Sequence, residues 1–346
     1  MAVSVGSAVD PERVERLACL IREAGSVVAL TGAGISVPSG IPDFRSPGTG
    51  LWANVNPMEV AHIDAWRADP ERFWHFYGNR FQTLEGKEPN GAHAALVELE
   101  RRGRLDAIIT QNIDRLHRRA GSQRLIEVHG SIDTSSCLAC GRRFPIAEVR
   151  ARLERSDVSV PTCDCGEPLK PDVVLFGEWL PEGALEAAYA LAAGADVLLC
   201  IGSSLEVHPI AQLPGVTRQA GGAVAVITQG PTPWDARATV RLDGDVVSEL
   251  QALVAALEPR ADTTPPVGAW RPRGSGDRSG MAPTVTDVQK ALKGADYPAS
   301  RDDLIELAER NDADDDVVEA LRGADDDEFD GPDQVMAALK GQVGGS

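Results

Sequence analysis

The tightest constraint in this chain is a short apolar run that ends directly in closely spaced glycines, SVVALTGAGIS at residues 26–36. Val27 to Leu30 have the length and composition of a strand buried in a parallel sheet. Glycines directly after such a strand let the main chain approach a bound pyrophosphate, with helix N-terminal amides facing the anion. Further apolar runs recur around Ile108 (LDAIITQN), Val174 (VVLF), Leu198 (ADVLLCIGSS) and Val226 (GAVAVIT). Segments with helical spacing separate most of them: 11–24, with Val14, Leu17, Ala18 and Ile21 on one face, then 92–101 and 181–193. This alternation predicts an α/β fold, a Rossmann-like parallel sheet with helices on both faces. Three runs end in polar or glycine-rich tips, TGAG at Thr31, TQNID at Thr110 and GSS at Gly202. Ligands of open α/β sheets bind beyond the carboxyl ends of strands, so these tips nominate one shared pocket.

Residues 135–168 interrupt the alternation and read as an inserted small module. They hold four of the six cysteines, Cys137 and Cys140 as C-x2-C and Cys163 and Cys165 as C-x-C. Four thiolates satisfy tetrahedral zinc and leave no open position, so the metal would be structural. Disulfide pairing is the alternative, which a reducing cytosol disfavours. Cys19 and Cys200 stand alone in apolar segments and read as buried small hydrophobes.

Residues 259–283 are rich in Pro, Gly, Ser and Arg without apolar periodicity, as a linker would be. Four short helical patterns follow in 284–346, VTDVQKALKG, RDDLIELAERN, DDVVEALRG and PDQVMAALKG. They predict a small all-α domain whose core draws on Val288, Leu292, Leu304, Leu307, Val318, Leu321, Val335 and Leu339. The division expected is therefore 1–258, with the module at 135–168 inserted, a linker at 259–283 and a helical domain at 284–346. The last carries −11 of the total −18 charge. So acidic a chain is a poor non-specific ligand for nucleic acid, and the acidic face is either solvated or a dock for a basic partner. No run of 18 apolar residues and no secretory leader pattern occurs, so a cytoplasmic protein with no membrane association is expected.

The glycine turn continues as GAGISVPSGIPDFRS at residues 32–46, and this long stretch resembles the cofactor loop of the sirtuins, the NAD-dependent protein deacylases. TQNIDRLH (110–117), EVHGS (127–131), LKPDVVLFGE (169–178) and IGSSLEVHP (201–209) resemble further sirtuin motifs in the same order, so the resemblance spans roughly residues 12–257. It implies that NAD is a co-substrate, that acylated-lysine proteins or peptides are the partners, and that one zinc sits in the module.

The resemblance also implies residue roles. His129 stands where the family has its base, and an imidazole titrating near neutrality suits deprotonation of ribose hydroxyls. Asn112 and Asp114 would share the catalytic work, Asp114 being readable as a helix N-cap as well. Cofactor contacts would come from Gly32, Ala33, Gly34, Ser36, Ile41, Asp43, Phe44, Arg45, Trp52, Gln111, Ile113, Gly202, Ser203, Ser204, Thr228, Gln229, Asp245 and Val246. Val174, Phe176, Gly177 and Glu178 on one side, with Leu205 and Val207 on the other, would pair with the substrate backbone as flanking strands. The module departs from the family in having one residue, not two, between its second pair of cysteines.

Tyr77 and Arg80 in FYGNRF lie one turn apart on a helix. The branch of the family that removes succinyl and malonyl groups binds the acyl carboxylate with this pair, and an arginine fork suits a carboxylate. A packing tyrosine and a surface arginine are the alternative, and Val37 argues against a wide acyl pocket. Two other functions remain open from the sequence: protein ADP-ribosyl transfer, and a non-catalytic NAD-sensing module, against which the set Asn112, Asp114 and His129 speaks.

Overall fold

The computed structural model describes residues 8–44, 48, 50, 55–155, 159–181 and 183–258, most of 299–329 and a few others between 291 and 339, without the side chains of Asn79, Arg80, Gln82, Thr83, Glu85 and Asp315. Its contacts divide the chain into two units, Met1–Ala261 and Asp262–Ser346.

The larger unit is built on six strands, β1 (Val27–Thr31), β2 (Ala107–Thr110), β3 (Leu125–Glu127), β7 (Val197–Ile201), β8 (Ala223–Ile227) and β9 (Val240–Leu242), all parallel in the order β3-β2-β1-β7-β8-β9. Alternate side chains leave a strand on opposite faces. Val27, Ala29, Ile108, Leu199, Ala225 and Ile227 therefore pack under the helices α1 (Pro11–Glu23), α5 (Gly91–Arg101) and α10 (Val246–Ala256). Val28, Leu30, Ile109, Leu198, Cys200, Val224 and Val226 face α8 (Ala184–Ala193) and α9 (Leu213–Gln219) instead. Helix α1 starts where Asp10 accepts the Glu12 and Arg13 amides (3.0 and 3.2 Å) and Pro11 fits the first turn, and it buries Val14, Leu17, Ala18 and Ile21. That stripe turns residue 19 outward: Cys200 is buried as expected, but Cys19 is exposed beside Arg22, which corrects its reading as a core residue.

A second layer interrupts the sheet. Strands β4 (Gly130–Cys137), β5 (Arg143–Pro145) and β6 (Leu169–Val173) form an antiparallel sheet in the order β5-β4-β6. It packs with α3 (Ile63–Ala68), α4 (Pro70–Glu85) and α7 (Ile146–Leu153) around Trp66, Phe73, Trp74, Phe81, Ile132, Phe144, Val149 and Leu169. The module is thus wider than residues 135–168, and the VVLF run does not supply a strand to the parallel sheet. Its first residue, Val173, ends β6 in the small one, because Val174 onward bonds to other segments. Between α3 and the preceding loop lies α2 (Pro57–Val60), and α6 (Leu116–Ala120) follows β2.

The four cysteine sulfurs lie within 4.8 Å of one another. Three of the separations are 3.5 Å (Cys137–Cys165), 3.5 Å (Cys140–Cys163) and 3.8 Å (Cys140–Cys165). Zinc–sulfur bonds of about 2.3 Å in a tetrahedron place sulfurs about 3.8 Å apart, so the set fits a structural zinc. Both pairs end in a left-handed glycine, Gly141 after C-x2-C and Gly166 after C-x-C, whose amides return to the Cys137 and Cys163 carbonyls (2.9 Å each). The shorter second turn is braced from outside, where Asp164 pairs with Arg142 and with Arg152 (3.1 Å). Amides of Cys140 and Ala139 facing the sulfur pull the Cys137 thiol down to about 7, whereas bonds to neighbouring sulfurs hold the Cys140 and Cys165 thiols up.

In the smaller unit, helices Arg301–Arg310 and Asp315–Arg322 pack through Leu304, Ala308, Val318 and Leu321, with Phe329, Val335 and Leu339 also buried. Ser300 caps the first helix through a reciprocal bond with Asp303. Ala299–Ser300 pairs antiparallel with Glu328–Phe329, a ladder absent from the purely helical reading. Val288 and most of the first and last helical patterns lie outside the described residues. Among the described residues no helix is long and apolar enough to cross a membrane.

Two outcomes follow. The protein should carry one zinc per chain, and Cys140→Ala should release it and cost several kcal/mol of stability, since ligand bonds to a structural zinc are folding energy; zinc content and thermal unfolding check this, and a metal-free protein of full stability would refute it. Residues 1–258 alone should unfold in one cooperative transition, whereas an aggregating truncation would place part of the larger unit's core beyond residue 258.

Candidate active site

The tips of β1 and β7 meet backbone to backbone. The Gly32 amide donates to the Ile201 carbonyl (3.0 Å) and the Gly34 amide to the Gly202 carbonyl (2.8 Å). A Cβ on Gly34 would lie 2.7 Å from the Gly202 Cα, and one on Gly202, whose φ is +60°, would lie 2.3 Å from the Ile35 nitrogen. Only glycine fits at this crossing. From it Ala33–Ser39 winds as a 3-10 helix that ends at left-handed Gly40. Asn90 ties that turn to α5: its Nδ2 donates to the Ile35 carbonyl (2.8 Å) and Ser39 Oγ (3.0 Å), while its Oδ1 accepts the Ala92 amide (2.8 Å). Ile41, Asp43 and Phe44 follow, half-buried; Arg45 and Trp52 lie outside the described residues.

The tip of β2 folds over the same crossing. Asn112 Nδ2 donates to the Gly32 carbonyl (3.1 Å) and to Ser36 Oγ (3.2 Å). Ser36 Oγ donates in turn to Asp114 Oδ2 (2.6 Å), and Asp114 Oδ1 accepts the Leu116 amide (2.9 Å) at the start of α6. Arg115, in the left-handed region, occupies the N-cap position of α6, so Asp114 stands one residue before the cap, where it holds the first helical amide and belongs to the polar cluster. Burial raises its pKa against the pull of these hydrogen bonds, so its charge is costly where it stands. Gln111 Nε2 reaches Ser203 Oγ (2.9 Å) on the β7 tip, and Ile113 packs against the core of the small module.

His129 is half-buried between the two sheets. Its Nδ1 lies 3.0 Å from the Gln111 carbonyl, which can only accept, so Nδ1 carries the proton and Nε2 the lone pair in the neutral ring. Burial lowers its pKa below the usual histidine value, with the Gln111 carbonyl partly opposing. The His129 carbonyl takes the Val174 amide (2.9 Å). From there Phe176 pairs with the α3 approach, its amide to the Ala61 carbonyl (2.8 Å) and its carbonyl to the Ile63 amide (3.0 Å). Gly177, at φ +83°, passes so close to His62 that a Cβ would lie 2.8 Å from Nε2. On the other flank Leu205 is buried in the left-handed region (φ +56°), its amide on Ser203 Oγ (3.2 Å), beside Ser204 and Val207.

Lys170 escapes the sequence reading. It is 5% exposed on β6. Its ammonium donates to Glu178 Oε2 (2.8 Å) and to the Pro171 (3.0 Å) and Val173 (2.8 Å) carbonyls. Glu178 Oε2 also accepts the Leu175 amide (2.9 Å), so one buried ion pair holds the whole turn 173–178. A lysine three residues ahead of the VVLF run and eight before a glutamate is the signal that could have found it. Beneath the pocket, Thr31 Oγ1 bonds Thr110 Oγ1 and His117 Nε2 (2.9 Å each). His117 stacks edgewise on His93 at 4.8 Å, and burial holds the two rings down to about 3 and about 4.

Thr228 and Gln229 leave β8, and the Thr228 amide donates to the Leu242 carbonyl (3.1 Å) at the end of β9. Asp245 caps α10 through the Ser248 amide (2.9 Å), and Val246 is buried. The candidate cofactor residues that are described thus share the carboxyl edge of β1, β2, β7, β8 and β9. Tyr77 sits apart in the aromatic stack of α4, 4.7 Å from Phe73 and 5.6 Å from Phe81, and the Arg80 side chain lies outside the described residues.

Residues 32–209 match the Sir2 family, and residues 283–336 match a protein family of unknown function, DUF2795. An NAD-dependent protein deacetylase of Sulfolobus acidocaldarius is 42% identical over 249 residues, which is 70% of this chain and 97% of that protein. An NAD-dependent protein deacylase of Thermus thermophilus is 44% identical over 248 residues, 70% and 94% of the two chains. Among solved structures, a Sir2 with deacetylated p53 peptide and 3'-O-acetyl ADP ribose superposes with a TM-score of 0.67 at 39% identity, over 70% of this chain and 97% of that one. Sir2Tm bound to a propionylated peptide gives a TM-score of 0.65 at 38% identity, over 71% and 99%. With its glycine crossing, polar tips and histidine in place and its family motifs in order, the chain belongs to the Sir2 family.

Proposed function

We infer that this protein is an NAD-dependent protein lysine deacylase that transfers the acyl group to ADP-ribose and releases nicotinamide. The observation that carries this reading is the convergence of Ser36, Asn112 and Asp114 with Gln111, Ser203 and His129 at the tips of four adjacent strands, β3, β2, β1 and β7. NAD supplies the ribose that accepts the acyl oxygen, with nicotinamide as leaving group. Asn112, Asp114 and Ser36 orient ribose and carboxamide, and the backbone at Gly32 to Gly34 with Ser203 and Ser204 receives phosphate and ribose. His129 holds its lone pair on Nε2 and takes the proton from a ribose hydroxyl. Its lowered pKa keeps it neutral, and therefore basic, below the usual histidine range. Phe176 to Glu178 and Leu205 to Val207 flank the acyl-lysine peptide as strands. Residues 1–258 do the chemistry in the cytoplasm, and the acidic domain at 284–346 presents a solvated face or docks a basic partner.

A panel of acetyl-, propionyl-, malonyl- and succinyl-lysine peptides with NAD, followed by nicotinamide release, tests the activity. Label from NAD retained on protein would instead indicate ADP-ribosyl transfer. His129→Ala should cost about 10²–10⁴ in turnover while NAD binding persists, since general-base catalysis contributes that much; turnover within tenfold of wild type would remove the base assignment. For wild type the acid limb of kcat should fall at a pH below 6.5, as a buried base requires. If Arg80 grips an acyl carboxylate, Arg80→Met should cut succinyl-lysine kcat/KM about 10- to 100-fold and spare acetyl-lysine. Equal losses on both substrates would give Arg80 to the fold.

A further inference from the structure

The turn that follows β6 is committed on nearly every side. Glu178 is held by Lys170 and the Leu175 amide, its own amide donates to the Leu175 carbonyl (3.1 Å), Gly177 presses on His62, and Leu180 packs against the core under α8 and α9. Between the anchored residues 178 and 180 stands Trp179, which is 96% exposed. The other large exposed hydrophobics among the described residues, Met58, Leu138 and Val37, reach only 52%, 52% and 44%. A tryptophan buries more area than any other side chain when it can, yet this indole is left almost wholly in solvent among the described residues. The rigid turn nonetheless fixes where it is presented.

That place adjoins the active site. Val174 bonds to His129, His129 to Gln111 and Gln111 to Ser203, so the segments that begin at residues 174 and 203 are both tied to the histidine. Neither segment contains Lys or Arg, and the second exposes Glu206. We propose that Trp179 determines specificity by holding a cationic side chain, Lys or Arg, that lies within two residues of the acyl-lysine in the substrate. This rests on the reading that residues 174–178 pair with the substrate backbone, because that pairing sets the reach of the residue that follows them. An aliphatic partner is disfavoured because the described residues bring no other apolar wall to the indole: a lone ring desolvates little of an aliphatic chain. A cation needs only an open ring face, and a guanidinium stacks on it best. The net charge of −7 carried by residues 1–283 favours the same choice.

The test uses the full chain, NAD and peptides that share one acyl-lysine and carry either arginine or citrulline one or two residues to either side. Citrulline keeps the shape and removes the charge. At one position or more the arginine peptide should show a KM lower by about three- to tenfold at equal kcat. Trp179→Leu, which retains apolar bulk without a ring face, should raise KM on the arginine peptide alone and bring the ratio to about one, with the thermal midpoint unmoved. No arginine advantage in wild type, or an advantage that survives Trp179→Leu, would overturn the proposal while nicotinamide release on every peptide upholds the deacylase reading. Absence of release from all peptides would remove both.

Discussion

The active site depends on the glycine crossing between the tips of β1 and β7. Gly32, Gly34 and Gly202 let two main chains approach to a distance that a single methyl group would forbid. That approach turns the chain after β1 back across the sheet edge, which sets Ser36 under Asn112 and Asp114 and brings Ser203 to Gln111. Amides and small hydroxyls then line a concave edge free of bulky side chains, as a dinucleotide's phosphates and ribose require. The polar cluster is expensive to bury, and its internal hydrogen bonds offset that cost only in this arrangement.

His129 stands at a joint. Its ring is oriented by a carbonyl of the parallel sheet, while its own carbonyl holds the first residue of the turn that leaves the small sheet. The following residue, Gly130, runs past the β6 backbone so closely that a Cβ would lie 2.1 Å from the Asp172 carbonyl oxygen. The zinc-binding module thus serves as more than a stabilising insertion. Through β4 and β6 it sets the position of the histidine and of the turn held by Lys170.

Local patterns in the sequence carried most of this. The β1 run and its glycines, the stripe of α1, the polar tips and the C-x2-C pair each depend on residues close in sequence, and each stands where the pattern implied. What escaped depends on partners far along the chain. The VVLF run has strand composition, but the sheet it joins is decided by β4, some 40 residues earlier, and by residues 61–63. Lys170 is legible as important only once Glu178 and two carbonyls are seen around it. Cys19 was misjudged by composition, although the spacing of Val14, Leu17, Ala18 and Ile21 already turned it outward. The solvation of Trp179 has no signature in sequence at all, because an indole beside apolar residues is usually buried.

The paired imidazoles of His93 and His117 have a consequence for the whole fold. In the unfolded chain each would titrate near 6.5, but in the folded protein burial holds them down to about 4 and about 3. Unfolding therefore takes up protons throughout the interval between these values and 6.5. The contribution of these two rings to stability is complete above 6.5 and declines as the solution is acidified, each with a slope of about 1.4 kcal/mol per pH unit. Since His117 is bonded to Thr31 at the end of β1, one of the two rings whose neutral form the fold requires is part of the floor of the cofactor pocket. Anything that binds the folded pocket opposes that proton uptake, so saturation with NAD would extend the folded state to lower pH.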